Sequence, residues 1–148
     1  MRVSASAAWH IAQINIATFR VPRSEPVNHS FDAALDEVNA LAEATPGFIW
    51  RMQGEGDSDD PGISINMTVW RSIEDLSAFA YRNPTHRTVM RQRREWFIEM
   101  PVYLALWWLP GGSIPTLNEG LAKLDLIQRL GPTPEAFDFK TLFPPPSI

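Results

Sequence analysis

The sequence predicts an α+β fold built on a four-stranded sheet. Three observations carry that reading: short β-rich segments that alternate in polarity, apolar stripes at helical spacing after the first and third of them, and proline- or glycine-bearing joints between. The order β-α-β-β-α-β is the split βαβ, or ferredoxin-like, arrangement.

The first strand is Trp9 to Phe19, WHIAQINIATF, followed by a loop marked by Pro22, Ser24 and Pro26. From about Ser30 the pattern turns helical, with Phe31, Leu35, Val38 and Ala42 in one stripe and Asn28 or Ser30 as cap. Thr45-Pro46-Gly47 ends that helix, and Gly47 to Gln53 reads as the second strand. An acidic, glycine-rich turn, GEGDSDDPG, leads to the third strand, Ile63 to Trp70. Ser72 with Asp75 is an Asp form of the capping box, and Leu76, Phe79 and Ala80 supply the apolar side of the helix that follows. Asn83-Pro84 restarts helix as cap and first residue, and that segment runs to about Phe97. Pro101 closes it, and Val102 to Leu109 is the fourth strand.

The whole chain reads as one domain, with its core over about 9–110 and an extension over 111–148. In the extension, Leu117 to Leu130 is helical. FDFKTLFPPP then forms an aromatic strap expected to dock through Phe137, Phe139, Leu142 and Phe143.

Composition narrows the function classes. The 148 residues are 45% hydrophobic and 20% charged, enough for an unstapled core. The absence of cysteine excludes disulfides, thiolate metal sites and cysteine nucleophiles, and fits a cytoplasmic location. A net charge of −4 argues against nucleic acid, whose phosphates demand a basic excess. MRVSASAAW has no apolar core of a signal peptide, and no run has the length of a membrane span. His10, His29 and His86 lack ligand spacing, and GEGDSDDPG lacks the terminal glutamate of a calcium loop, so no metal site is expected.

A sheet with both helices on one side leaves its other side bare. Alternation puts Ile63, Ile65, Met67 and Val69 on one face of strand three and Ser64, Asn66, Thr68 and Trp70 on the other. The apolar sets, with Ile14 and Ile16, suit the helices. The mixed set, Gln13 and Asn15 with Trp50, Asn66 and Trp70, and with Tyr103 and Trp107 from strand four, is then left on the bare side. Such a face predicts a homodimer that encloses an aromatic-walled cavity between two sheets, with a hydrophobic small molecule as ligand. A plain dimer core, its amides bonded to one another, is the competing reading.

The residues resemble known families. AQINIA at Ala12–Ala17, ALAEATPGFIWR around Trp50, TVWRSIEDL after strand three and HRTVMRQRREWF at His86–Phe97 resemble a bacterial family, Domain of Unknown Function 3291, of the dimeric α/β barrel superfamily. The resemblance covers nearly the whole chain and implies the fold, with no activity attached. Antibiotic-biosynthesis monooxygenases of that superfamily oxidise polycyclic phenols without metal or flavin. They use an asparagine and, four residues on, a tryptophan at the end of strand three, which Asn66 and Trp70 match. Haem-degrading relatives use a strand-one asparagine, matched by Asn15, the same tryptophan, and a helical histidine. That ligand is due near Val89–Met90. His86 lies about one turn, ~5.4 Å, early, so haem is disfavoured and no cofactor is expected.

The expected site is therefore His86 as base, at a helix start that disfavours its charged form, with Asn15 and Asn66 donating to a carbonyl or enolate oxygen. Trp50 and Trp70 would stack on the substrate, with Gln13, Tyr103 and Trp107 beside them. Arg91, or Arg51 on strand two, would bind a carboxylate or phenolate, although an Arg91–Glu95 pair on a solvated face explains Arg91 as simply. The function this implies is a secondary-metabolism enzyme for an aromatic or polyketide-like substrate, by oxygenation, isomerisation or cyclisation. A non-catalytic binding module with the same cavity is the rival, and a haem protein the third reading.

Overall fold

The computed structural model describes residues 9–53 and 62–146. The strands are β1 (Trp9–Thr18), β2 (Phe48–Arg51), β3 (Ile63–Trp70) and β4 (Leu104–Pro110). They form one antiparallel sheet in the order β2-β3-β1-β4, the ferredoxin-like topology read from the sequence. The helices are α1 (His29–Ala44), α2 (Ile73–Ser77), α3 (Pro84–Trp96) and α4 (Leu117–Leu130). A π-helical turn, Ala78–Arg82, joins α2 to α3. The expected turn GEGDSDDPG lies outside the described residues except for its final glycine, Gly62.

Local chemistry sets the helix boundaries. Ser72 Oγ accepts from the Asp75 backbone N–H, and Asn83 Oδ1 accepts from those of Thr85 and His86, so both read caps are made. At α1 the expected cap is not. Asn28 precedes the helix, but its Nδ2 donates back to the Val21 and Pro22 carbonyls, tying down the loop instead. Gly47, at φ +90°, turns the chain into β2 where a Cβ would collide with the Asp75 carboxylate.

The faces of the sheet run opposite to expectation. Ile11, Trp70 and Leu106 pack under α1 and α2 with Ala42, Leu76 and Phe79, and Ala17 packs with Phe31, Ala34 and Trp96 of α1 and α3. The apolar set, Ile14, Ile65, Met67 and Val69, lies on the other face beneath Leu124 and Ile127 of α4. Alternation sorted β1 and β3 correctly into two sets, but it carries no information on which set a helix covers. The sequence reading gave the greasier set to α1 and α3, whereas α4 takes it. Gly120 makes that packing close, since a Cβ there would sit 2.7 Å from Met67 Sδ and 3.0 Å from Ile14 Cδ1.

The strap after α4 is extended and docks through aromatics. Leu106 and Phe137 exchange backbone hydrogen bonds of 2.7 and 2.9 Å, covering the free edge of β4. Phe137 is fully buried, and Trp108 Nε1 donates to the Phe143 carbonyl.

Candidate functional site

Between the polar face of the sheet and helices α1 and α3 lies a cavity of about 430 Å³, within the range of small-molecule sites. It sits inside one chain, and its floor is Gln13, Asn15, Ser64, Asn66 and Thr68. The wall from α1 runs along one stripe, Phe31, Leu35, Val38, Asn39 and Ala42. The α3 wall is His86, Val89, Met90 and Arg93, flanked by Arg87 and Arg91. Tyr81 from the π-helical turn and Phe139 from the strap meet edge to face at 5.0 Å, and both line the cavity.

The floor is a hydrogen-bonded amide cluster. Gln13 Nε2 donates to Asn66 Oδ1 and to Thr68 Oγ1, both at 2.8 Å. Asn15 Nδ2 donates to Gln13 Oε1 at 3.0 Å and to Asn66 Oδ1 at 3.3 Å. These bonds occupy Gln13 and fix the orientation of its neighbours. What remains without a partner among the described residues is Asn66 Nδ2, a donor, and Asn15 Oδ1, an acceptor. Across the cavity the Asn39 side chain, 9% exposed, also has no hydrogen-bond partner among the described residues. Buried amides normally find partners, so polar capacity on both walls is turned to the space between them.

His86 is held from two directions. Its ring lies 4.8 Å from the Phe79 ring, and its Nδ1 is 2.9 Å from the Ala80 carbonyl oxygen. A carbonyl only accepts, so Nδ1 carries the proton. In the neutral ring Nε2 then holds the lone pair, and it has no partner among the described residues. Burial pushes the imidazole pKa down, partly opposed by the Ala80 hydrogen bond, which favours the charged form.

The structure brings Gln13, Asn15, Asn66, His86, Arg91 and Tyr103 to one cavity. It separates four others from it. Trp50 packs on the opposite face against the α4 side of the core. Alternation from Phe48 is broken by a register shift between Phe48 and Trp50, which turns the tryptophan over. Trp107 also points to that side, where its Nε1 donates to Glu119 Oε2 at 2.9 Å. Trp70 is on the helix side but fully buried, its ring stacked on Phe79 at 5.2 Å and its Nε1 bonded to Thr68 Oγ1. It supports the wall without lining it. Arg51 is off the cavity, with Nε 3.2 Å from Glu43 Oε1. Gln13, Asn15, Asn66 and Tyr103, expected to face a second sheet, therefore line a space under the helices of their own chain.

Sequence reasoning missed Asn39, Tyr81 and Phe139 as site residues. Asn39 had a signal, because it falls eight after Phe31 on the apolar stripe of α1. The site does not fit an axial histidine for haem: the expected position, Val89–Met90, is on the wall but offers no imidazole.

A family model described as "Domain of unknown function (DUF3291)" matches residues 10–148. The chain belongs to this family. No curated protein matches the DUF3291 chain. Solved structures do, at identities that speak to fold alone. Rv0793 from Mycobacterium tuberculosis aligns at 18% identity and a TM-score of 0.54, over 73% of this chain and 98% of its own. SnoaB from Streptomyces nogalater, described as a cofactor-independent oxygenase, aligns at 14% identity and a TM-score of 0.51, over 74% and 98%. A conserved protein from Methanosarcina mazei Go1 aligns at 10% and 0.54, over 71% and 94%. This DUF3291 chain thus shares its α+β fold with these proteins.

Proposed function

We propose that this protein is an enzyme acting on an aromatic or polyketide-like small molecule by base-initiated chemistry that needs neither metal nor flavin. One observation carries the reading: an imidazole with Nδ1 pinned to Ala80 O and Nε2 open, lining the same cavity as the unpartnered Asn66 Nδ2. The likeness in fold to a cofactor-independent oxygenase supports the class.

In this reading His86 Nε2 removes a proton from a carbon activated by an adjacent carbonyl or phenol ring. Asn66 Nδ2 donates to the oxygen on which charge collects, and the Gln13 and Asn15 bonds hold that amide in place. Asn15 Oδ1 accepts from a substrate hydroxyl. In an oxygenation, the carbanion adds molecular oxygen, and the hydroperoxide loses water, so that CH2 plus O2 gives C=O plus H2O. In an isomerisation or cyclisation the proton returns from His86. A homodimer and a cytoplasmic location belong to the same proposal. Ile16, Trp50, Met52 and Ile63, part-buried on the outer face of the sheet beside the α4 core, support the former.

Oxygen uptake and product formation on a panel of anthrones and polycyclic phenols test it. Turnover is expected to fall by ~10²-fold or more in His86→Gln and to fall substantially in Asn66→Ala. Ligands that quench tryptophan fluorescence while both variants turn over like the parent would reduce the site to a binding module.

A further inference from the structure

The charged side chains that line the cavity are of one sign. Three of its lining residues are arginines, Arg87, Arg91 and Arg93, and none is Asp or Glu, in a chain whose net charge is −4. None of the three makes an ion pair among the described residues. Glu95 stands four residues after Arg91, in reach on the same helix, yet the Arg91–Glu95 pair that would make Arg91 a plain surface residue is not formed. Arg93 is instead laid over the Tyr103 ring at 4.5 Å. Arg87 and Arg91 are themselves four apart, a like-charge spacing that weakens a helix unless an anion sits between them.

We infer that the ligand of this cavity is an aromatic carboxylic acid, its carboxylate held by Arg87 and Arg91 and its ring buried against Leu35 and Val38 above the amide floor. A guanidinium fork matches a carboxylate with paired, charge-assisted hydrogen bonds. A carboxylate is also anionic at neutral pH, whereas a simple phenol, with its pKa of about 10, is not. The Asn39 side chain on the α1 wall, without a hydrogen-bond partner among the described residues, gives the other end of the molecule a polar contact and so a direction. The inference rests on the small-molecule reading above and adds a charge class to it.

The test compares naphthalene-2-carboxylate with naphthalene-2-carboxamide, neutral and nearly the same shape, by tryptophan quenching at low ionic strength. The carboxylate is expected to bind about tenfold or more tightly, a difference of ~1.4 kcal/mol, and added salt is expected to shrink the gap. Arg87 and Arg91 are exposed, so Arg87→Gln with Arg91→Gln should leave the fold unchanged while removing the preference for the carboxylate. Equal binding of the two probes, or a preference that survives in the double variant, overturns the charge assignment and leaves the cavity reading standing. Failure of both probes to bind overturns both.

Discussion

Gln13 and Thr68 face each other across the β1–β3 ladder, and their side chains are joined by a hydrogen bond of 2.8 Å from Gln13 Nε2 to Thr68 Oγ1. The same hydroxyl oxygen accepts from Trp70 Nε1 at 2.9 Å. One oxygen therefore anchors both the amide floor of the cavity and the buried indole stacked beneath Phe79.

Thr68→Val keeps the shape and removes that acceptor. The Trp70 N–H, fully buried, is then orphaned, at a loss of ~1–3 kcal/mol. Thr68→Ser keeps the hydroxyl and deletes a methyl, at ~1 kcal/mol. Urea unfolding is expected to rank Thr above Ser and Ser above Val. The reverse order for the two variants would contradict the anchoring role, since β-propensity alone favours valine.

The contact between α4 and the outer face of the sheet makes a second prediction. Gly120→Ala would ordinarily stabilise a helix by about 1 kcal/mol. Here the new methyl meets Met67 Sδ and Ile14 Cδ1, both on side chains with essentially no exposure, and overpacking of this kind loses ~1–3 kcal/mol. A lower melting temperature is expected. An unchanged or raised one would mean that α4 is looser on the sheet than its packing implies.

Strand order and helix starts were legible because they rest on local signals: alternation, Ser72 and Asn83 as caps, Pro84 at a first turn. The composition of each face of β1 and β3 was legible too, since Asn15 and Asn66 emerge together in register. What was not legible is any choice that local pattern leaves degenerate. Which face α1 and α3 cover depends on α4, a distant segment whose own apolar side competes for Ile14 and Met67. Trp50 was misplaced by a register shift that no residue of FIWR announces. Tyr81 and Phe139 meet only because the strap returns along β4, a tertiary event invisible in either segment alone.

The lowered pKa of His86 fixes the direction of a pH experiment. The folded protein binds the imidazole proton less readily than the unfolded chain, whose value is the ordinary 6.5. Well above that value the ring is neutral in both states and contributes no pH dependence. Between the ordinary value and the lower folded one, only the unfolded chain takes up the proton, so stability falls as the pH is lowered through that window and levels off beneath it. Activity follows the folded value. The acid limb of kcat/KM is therefore expected to lie below 6.5, because Nε2 must be unprotonated to act as base. Phe79→Ala opens the packing that desolvates the ring and should move both the imidazole titration, followed by NMR, and the acid limb upward together. An acid limb that stays fixed while the His86 titration moves would assign the catalytic proton to another group.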